Sequence, residues 1–193
     1  MNAILENILS RRSVRAYQGS QVPPEDLQTI LLAGSYAPNG MALQSWRFTA
    51  VVNEAARKKV NEAIRRTFLN MTVDENTSAH MAMLIEKAKD ENADFLYGAP
   101  AYVIASGPRE NRNSRSDCAL ALGTMMMAAH SLGIGSCWLN QLPGNTNAPH
   151  IRGVLTELGV PEEHDAFGSI ALGYAAGEPK PADARKDVIH IID

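Results

Sequence analysis

The 193-residue chain has the composition of an ordinary globular protein, with 45% hydrophobic and 20% charged residues. Its formal net charge of -3 argues against a general nucleic-acid binder, which would normally present a net basic face. The N-terminus lacks the basic start and apolar core of a signal peptide, and no stretch approaches the ~18 apolar residues of a membrane span. We therefore expect a cytoplasmic protein with neither a membrane nor a nucleic-acid partner.

Helical and extended patterns alternate along the whole chain, which predicts a layered mixed α/β or α+β sandwich. No linker or internal repeat divides the sequence, so we predict one domain over residues 1–193. The segment 70–92 has weak helical periodicity and is interpreted as a lid or a peripheral helix. We predict five helices, at residues 2–10, from Pro23 onward, at 54–69, at 117–132 and near 148–158. We predict strands at 47–52, at 101–105, at 133–139 where a glycine break leads in, and at 167–174, followed by a β-like run at 188–192.

The two cysteines are expected to be free thiols in the core. Cys118 and Cys137 are far apart and form no C-x-x-C motif, which argues against a zinc knuckle or a dithiol redox site. Cys137 could be a nucleophile, but it lies in an apolar run with no activating partner, which favours a buried structural thiol. Trp46 and Trp138 could stack on a flat ring, although core packing is the commoner role of a tryptophan.

Three arginines and a hydroxyl occur within five residues, Arg11 to Arg15, directly after the first predicted helix. Guanidinium groups stay charged and present a planar fork of donors, which suits a phosphate. The alternative is that these arginines only satisfy free carbonyls and complement the dipole at the end of that helix. The cluster by itself leaves both interpretations open.

Several common catalytic motifs do not occur in the chain. The run from Gly133 begins like a dinucleotide-binding G-x-G-x-x-G, but Trp138 replaces the third glycine. There is neither a G-x-x-x-x-G-K-[ST] phosphate loop nor a G-x-S-x-G nucleophile elbow, and the five histidines never pair at helical ligand spacing. Kinase, serine hydrolase and metalloenzyme functions therefore lose their usual support.

Four separated segments, in order and spacing, resemble the nitroreductase family of FMN-dependent oxidoreductases. They are RRSVR (11–15), APNGMALQSWRF (37–48), MAAHSLGIGSCW (127–138) and LGYAAGEPKP (172–181). The resemblance implies an α+β fold, with a mixed central sheet flanked by helices. It also implies an intertwined homodimer that has two FMN sites at the subunit interface and exchanges the C-terminal strand 188–192.

The resemblance also assigns roles to individual residues. Arg11, Arg12 and Ser13 would hold the FMN phosphate and ribityl chain, with Arg185 and Lys186 as further cations. Arg15 would lie near the N1 and O2 edge of the isoalloxazine ring. The other subunit would lay the loop of Pro38, Asn39 and Gly40 against the flavin, with Gln44 following the family pattern, and the opposite side of the ring would face Cys137, Trp138 and Leu139.

The activity implied is ping-pong transfer of reducing equivalents from NADH or NADPH, through FMN, to nitroaromatic, quinone or similar small acceptors. The flavin carries the chemistry in this scheme, so no side chain is assigned as a catalytic acid or base, and no metal is expected. One alternative is a specialised flavoenzyme of the same fold, either a reductive dehalogenase or an enoate-type reductase, with substrate contacts from 70–97. Another is a non-catalytic protein that stores or senses FMN.

Overall fold

Helices cover both faces of a four-stranded sheet in the part of the chain that the computed structural model describes, residues 1–186 and 189–192. The alternation of patterns is confirmed, and the fold is α+β. The helices are α1 (Ala3–Ser10), α2 (Pro24–Ser35), α3 (Glu54–Leu69), α4 (Ala79–Lys87), α5 (Ser114–Ser131) and α6 (Pro149–Glu157); the strands are β1 (Arg47–Val51), β2 (Ala101–Pro108), β3 (Gly135–Leu139) and β4 (His164–Gly173).

The strand order is β1-β2-β4-β3, and all three strand pairs are antiparallel. Among the described residues, parallel pairing occurs only as a bridge between Ser13 and Ser136, so the parallel part of the expected mixed sheet is limited to that contact. A register shift between Ala105 and Ser106 interrupts the β2–β4 ladder. The two edge strands, β1 and β3, thus lie on opposite sides of the central pair.

The central strands are buried on both faces, which explains their nearly continuous apolar sequences. Side chains alternate between two hydrophobic clusters, as the period of two along a strand requires. Tyr102 and Ile104 pack with Phe68 of α3 on one face. Val103 and Ala105 pack with residues of α2 and α5 on the other. The sheet is therefore the middle layer between two helical layers.

Helix α5 is apolar on several sides because it is buried between the sheet, α2 and α1. It approaches α2 closely: a Cβ added to Gly34 would lie 2.3 Å from the Cε of Met125. Cys118 on α5 and Cys137 on β3 are both buried and free, as predicted. Burial, aided by the neighbouring Asp117, raises the pKa of the Cys118 thiol to about 12.

The two ends of the chain present apolar side chains to solvent. Helix α1 has no buried residue, and Ile4, Leu5, Ile8 and Leu9 are all exposed. Val188 of the predicted terminal strand lies outside the described residues. Residues 189–192 are exposed and belong to no strand in the described part of the chain, so the predicted strand exchange stays a prediction. Within the described ranges, no helix is long and apolar enough to cross a membrane.

The packing of Phe68 generates a stability prediction. This side chain is 2% exposed and its ring centroid lies 5.4 Å from that of Phe95. We expect Phe68→Ala to lower the free energy of unfolding by about 3–5 kcal/mol, through lost burial and the cavity left behind. Chemical denaturation followed by circular dichroism would measure it. The matched control is Leu69→Ala at the next position, where the side chain is 41% exposed; an equal loss in both variants would contradict the prediction.

Candidate functional site

Residues 11–18 form a loop, the arginine loop, that is fixed to the end of the sheet by backbone hydrogen bonds. The N–H of Val14 donates to the carbonyl of Ser136 on β3 at 3.0 Å, and the N–H of Gln18 donates to the carbonyl of Tyr174 at 2.8 Å. Gly135 permits this approach, because an added Cβ there would lie 2.7 Å from a methyl carbon of Val14. The loop therefore places the arginine side chains beside the first residues of β3.

The arginines at positions 11 and 12 have different surroundings. Arg12 Nη1 donates to the carbonyls of Leu9 and Arg11, at 2.7 Å each. Arg12 thus satisfies a carbonyl of α1, as the helix-end interpretation predicted. Arg11 Nη1 is buried and has no hydrogen-bond partner among the described residues. Of these two arginines, Arg11 is the one with a buried donor that has no partner in the described part of the chain.

A cavity of about 230 Å³ lies beside these two arginines. The hydroxyl of Ser136, a residue 1% exposed, also lacks a partner within the described part of the chain. A buried donor without a partner is costly, and a phosphate oxygen accepts hydrogen bonds from guanidinium and hydroxyl groups such as these. The donor set therefore fits a phosphate group. The cavity is lined by Ser10, Arg11, Arg12, Val14, His130, Gly133, Ile134, Gly135, Ser136, Ala175 and Pro179.

His130, at the end of α5, lies at this cavity and was not among the predicted site residues. The hydroxyl of Ser10 donates to the carbonyl of Glu6 at 2.7 Å, so His130 Nε2, 2.8 Å away, must donate to the Ser10 oxygen. Burial lowers the pKa of His130, and the positive charges of Arg11 and Arg12 lower it further. Sequence spacing gave no signal for His130, because its partner Ser10 is 120 residues away.

Arg15, Tyr17 and Cys137 form the next part of the site. Burial raises the pKa of Cys137, while Arg15, Arg11 and a hydrogen bond with Ser13 act in the opposite direction. The pKa of Tyr17 is also raised, mainly by burial, and its hydroxyl donates to the Val14 carbonyl at 2.7 Å. Burial therefore favours the neutral forms of both groups, and no base among the described residues hydrogen-bonds to the thiol.

The predicted trio on β3 is divided between the two faces of the sheet. The side chains of Cys137 and Leu139 belong to the cluster with Phe68. Trp138 packs on the other cluster and touches Gly168, where an added Cβ would lie 2.5 Å from its ring. One flat ligand on one face of the sheet cannot touch all three side chains. If all three contact a flavin, at least one does so through its backbone.

The loop from Pro38 to Gln44 lies at the other end of α5. The N–H of Gly40 donates to Asp117 Oδ1 at 2.9 Å, and the N–H of Gln44 donates to Asn39 Oδ1 at 2.9 Å. Three residues of this loop that are not glycine, Met41, Ala42 and Gln44, adopt positive φ angles between 48° and 55°. Such angles are uncommon for these residues, so the loop shape is imposed by its contacts with α5.

Two groups of predicted residues are thus far apart within one chain. Asp117 accepts a hydrogen bond from the loop Pro38 to Gln44, and His130 lines the cavity beside Arg11. The two residues are thirteen positions apart on α5, which corresponds to about 20 Å at 1.5 Å per residue. The C-terminal Arg185 and Lys186 are exposed, and within the described residues neither hydrogen-bonds nor ion-pairs with the arginine loop. No cluster that could hold a metal occurs among the residues described.

Comparison with known proteins identifies the family. The sequence model of the nitroreductase family matches residues 8–174 of the chain. The chain belongs to the nitroreductase family. The resemblance inferred from the four segments and the α+β fold are both confirmed.

Solved and curated relatives span the nitroreductase chain almost completely. A nitroreductase from Bacteroides fragilis, whose crystal structure contains bound FMN, is 40% identical, with a TM-score of 0.91 and coverage of 100% of both chains. A relative from Archaeoglobus fulgidus, named for NADH dehydrogenase or NAD(P)H nitroreductase activity, is 31% identical over 92% of this chain and 88% of its own. An iodotyrosine deiodinase from Thermotoga neapolitana is 28% identical over 98% and 97%.

The surroundings of His130 in this nitroreductase-family protein predict a pH effect. We expect His130 to titrate below the ordinary histidine pKa of about 6.5, and Arg11→Gln to raise its pKa by removing a nearby positive charge. Because its folded-state pKa is lowered, the contribution of His130 to stability is present above pH ~6.5 and is lost as pH falls through the folded-state pKa.

An NMR titration of the histidine ring signals would measure this pKa. The control is Arg115→Gln, which removes the same charge from an exposed position at the other end of α5. The same rise in the His130 pKa in both variants, or no rise in either, would contradict the assigned cause.

Proposed function

We propose that the protein is an FMN-dependent oxidoreductase that passes reducing equivalents from NADH or NADPH to a small organic acceptor. One observation carries the proposal: Arg11 Nη1 and Ser136 Oγ are buried beside a 230 Å³ cavity without partners among the described residues. A phosphate group accepts hydrogen bonds from both kinds of donor. The names of the relatives add the flavin and the nicotinamide donor.

At the phosphate end, Arg11 binds the phosphate directly with its free Nη1 donor. Ser13 contributes its hydroxyl from the residue that pairs with Ser136. Arg12 acts mainly through its charge, because its Nη1 is already bound to two carbonyls. Arg185 and Lys186 remain proposed second cations; the chain passes the cavity at Ala175 and Pro179, a few residues before them.

At the ring end, Arg15 supplies positive charge. It is exposed, and its positive charge acts to lower the pKa of both Cys137 and Tyr17, which supports a position close to these two residues. When bound, FMN supplies the two-electron chemistry that accepts reducing equivalents from the nicotinamide and passes them on. The residues of this chain bind and orient it, and the neutral Cys137 and Tyr17 take no covalent part.

The complete site requires two copies of the chain. The residues of α5 that contact the two loops are about 20 Å apart along the helix, which supports a partner protomer as the source of the loop of Pro38, Asn39, Gly40 and Gln44 at each flavin. The exposed apolar side chains of α1 give a second reason for association, since such patches mark interfaces. We propose a homodimer in which each protomer contributes one half of each site.

The acceptor is proposed to be a nitroaromatic, a quinone or a similar small oxidant. A reductive dehalogenase is the second candidate, because the iodotyrosine deiodinase relative covers nearly the whole chain. The segment 70–97 is where the two activities would differ. Here it forms α4, and Lys87 lies over the rings of Phe95 and Tyr97, 4.7 and 5.6 Å from their centroids.

The anaerobic visible spectrum of the purified protein tests the proposed function. We expect a yellow flavin spectrum that NADPH or NADH bleaches, and that recovers on addition of a nitroaromatic, a quinone or a halotyrosine. Recovery with the halotyrosine alone would favour the dehalogenase. Bound flavin that neither nicotinamide bleaches would favour an FMN-storing or FMN-sensing protein, and a colourless protein that FMN does not restore would refute the flavin assignment.

The position proposed for Arg15 predicts the direction of a redox change. Reduction adds electron density to the flavin ring, and a nearby positive charge favours the reduced form. We therefore expect Arg15→Ala, loaded with FMN, to have a lower midpoint potential than the unmodified protein, measured by spectroelectrochemistry. Lys58→Ala on α3, an exposed cation paired with Glu54, is the control. An unchanged potential in Arg15→Ala would remove Arg15 from the ring edge.

A further inference from the structure

Asp117 is a buried carboxylate that joins two elements far apart in the sequence. It is 3% exposed, in the first turn of α5. Its Oδ1 accepts the N–H of Gly40 at 2.9 Å, across 77 residues of sequence. Its Oδ2 is buried without a hydrogen-bond partner among the described residues. A buried carboxylate oxygen without a partner is destabilising, which points to a role for Asp117 other than stabilising the fold.

The loop around Gly40 is pressed against the same turn of α5. A Cβ added to Gly40 would lie 2.2 Å from Asn113 Nδ2, so no larger residue fits there without movement. Asn111 Nδ2 donates to the hydroxyl of Ser45 at 2.9 Å, closing the other end of the loop. Between these two contacts the backbone holds the positive φ angles of Met41, Ala42 and Gln44. Asp117 is the one charged group among these contacts.

A role in helix stability alone does not account for this arrangement. An acidic side chain in the first turn of a helix complements the positive end of the dipole, and an exposed carboxylate does so without burial. Asp117 is instead buried, and its carboxylate accepts a hydrogen bond from a backbone N–H of the loop. That N–H belongs to one of the three residues proposed to lie against the partner's flavin.

We propose that Asp117 is a positioning residue: it fixes the backbone of Asn39 and Gly40 in the shape that receives the flavin bound by the partner protomer. This inference rests on the proposed function. Asp117 itself touches neither flavin nor substrate. It acts through the Gly40 N–H, and its charge strengthens that hydrogen bond, since a charged acceptor binds a donor more strongly than a neutral one.

Three variants separate positioning from general destabilisation. Asp117→Ala removes the acceptor, whereas Asp117→Asn keeps a neutral one. Gly40→Ala keeps the N–H but displaces the loop from this contact, because its Cβ would lie 2.2 Å from Asn113 Nδ2. The control is Asn53→Ala, which removes the cap that accepts the N–H of Ala56 at the start of α3. Asn53 follows the far end of β1 from the loop, so this variant loses stability without touching the contact.

Two readouts are measured in each variant: the dissociation constant for FMN, by fluorescence titration of the apoprotein, and hydrogen exchange at the Gly40 amide. We expect Asp117→Ala and Gly40→Ala each to weaken FMN binding by about tenfold, with a double variant little worse than either. Asp117→Asn should recover most of the affinity. The Gly40 amide should exchange faster in Asp117→Ala and stay protected in Asn53→Ala.

Other outcomes would overturn the proposal. If Asp117→Ala weakens FMN binding no more than Asn53→Ala does, Asp117 only stabilises the fold. An unchanged exchange rate at Gly40 would show that the carboxylate does not hold the loop. If the unmodified protein binds no FMN, the proposed function fails and the flavin role of Asp117 fails with it. In that case the exchange rates still report whether the contact with the loop exists.

Discussion

The candidate site depends on the burial of α5. This helix packs against both central strands and α2 through Cys118, Leu122, Met125 and other side chains, so it cannot shift without opening the core. Its first turn binds the loop around Gly40, and its last turn carries His130, which lines the cavity beside Arg11 and Arg12. A rigid helix of fixed length therefore sets the separation between the loop around Gly40 and the cavity beside Arg11.

The arginine loop shows how far sequence reasoning can reach. The residues 11–15 predicted an anion site or a helix end, and the structure contains features of both. Arg12 donates to carbonyls of the preceding chain, whereas Arg11 has a buried donor without a partner among the residues that the structure describes. Adjacent identical residues give no sequence signal for this division, because it depends on which guanidinium turns back toward α1 and which one turns toward β3.

The fold was predictable in its elements because each element has a strong local pattern. Strand β2 is a continuous apolar run, and α5 has apolar residues nearly all round. The register and strand order were not predictable, because they depend on contacts between distant residues such as the pairing of Val103 with Ile170. The same limit hid His130 and Asp117, whose partners are 120 and 77 residues away. The faces of Cys137 and Trp138 follow from strand alternation, but only after β3 is placed in the sheet.

Departures from ideal local structure occur at both ends of α5, although not only there. Arg11, Ser136 and Asp117 carry buried polar atoms without partners in the described residues, and the loop of Met41, Ala42 and Gln44 holds three left-handed residues. Arg152 and Gln141 carry further unpartnered atoms elsewhere, so such atoms alone do not define a site. At the two ends of α5, however, unpartnered atoms coincide with a cavity beside Arg11 and with positive φ angles in the loop beside Asp117. Strained backbone and unpaired buried polar groups destabilise a fold and tend to persist at binding sites. This tendency is the physical reason for treating both ends of α5 as parts of one site.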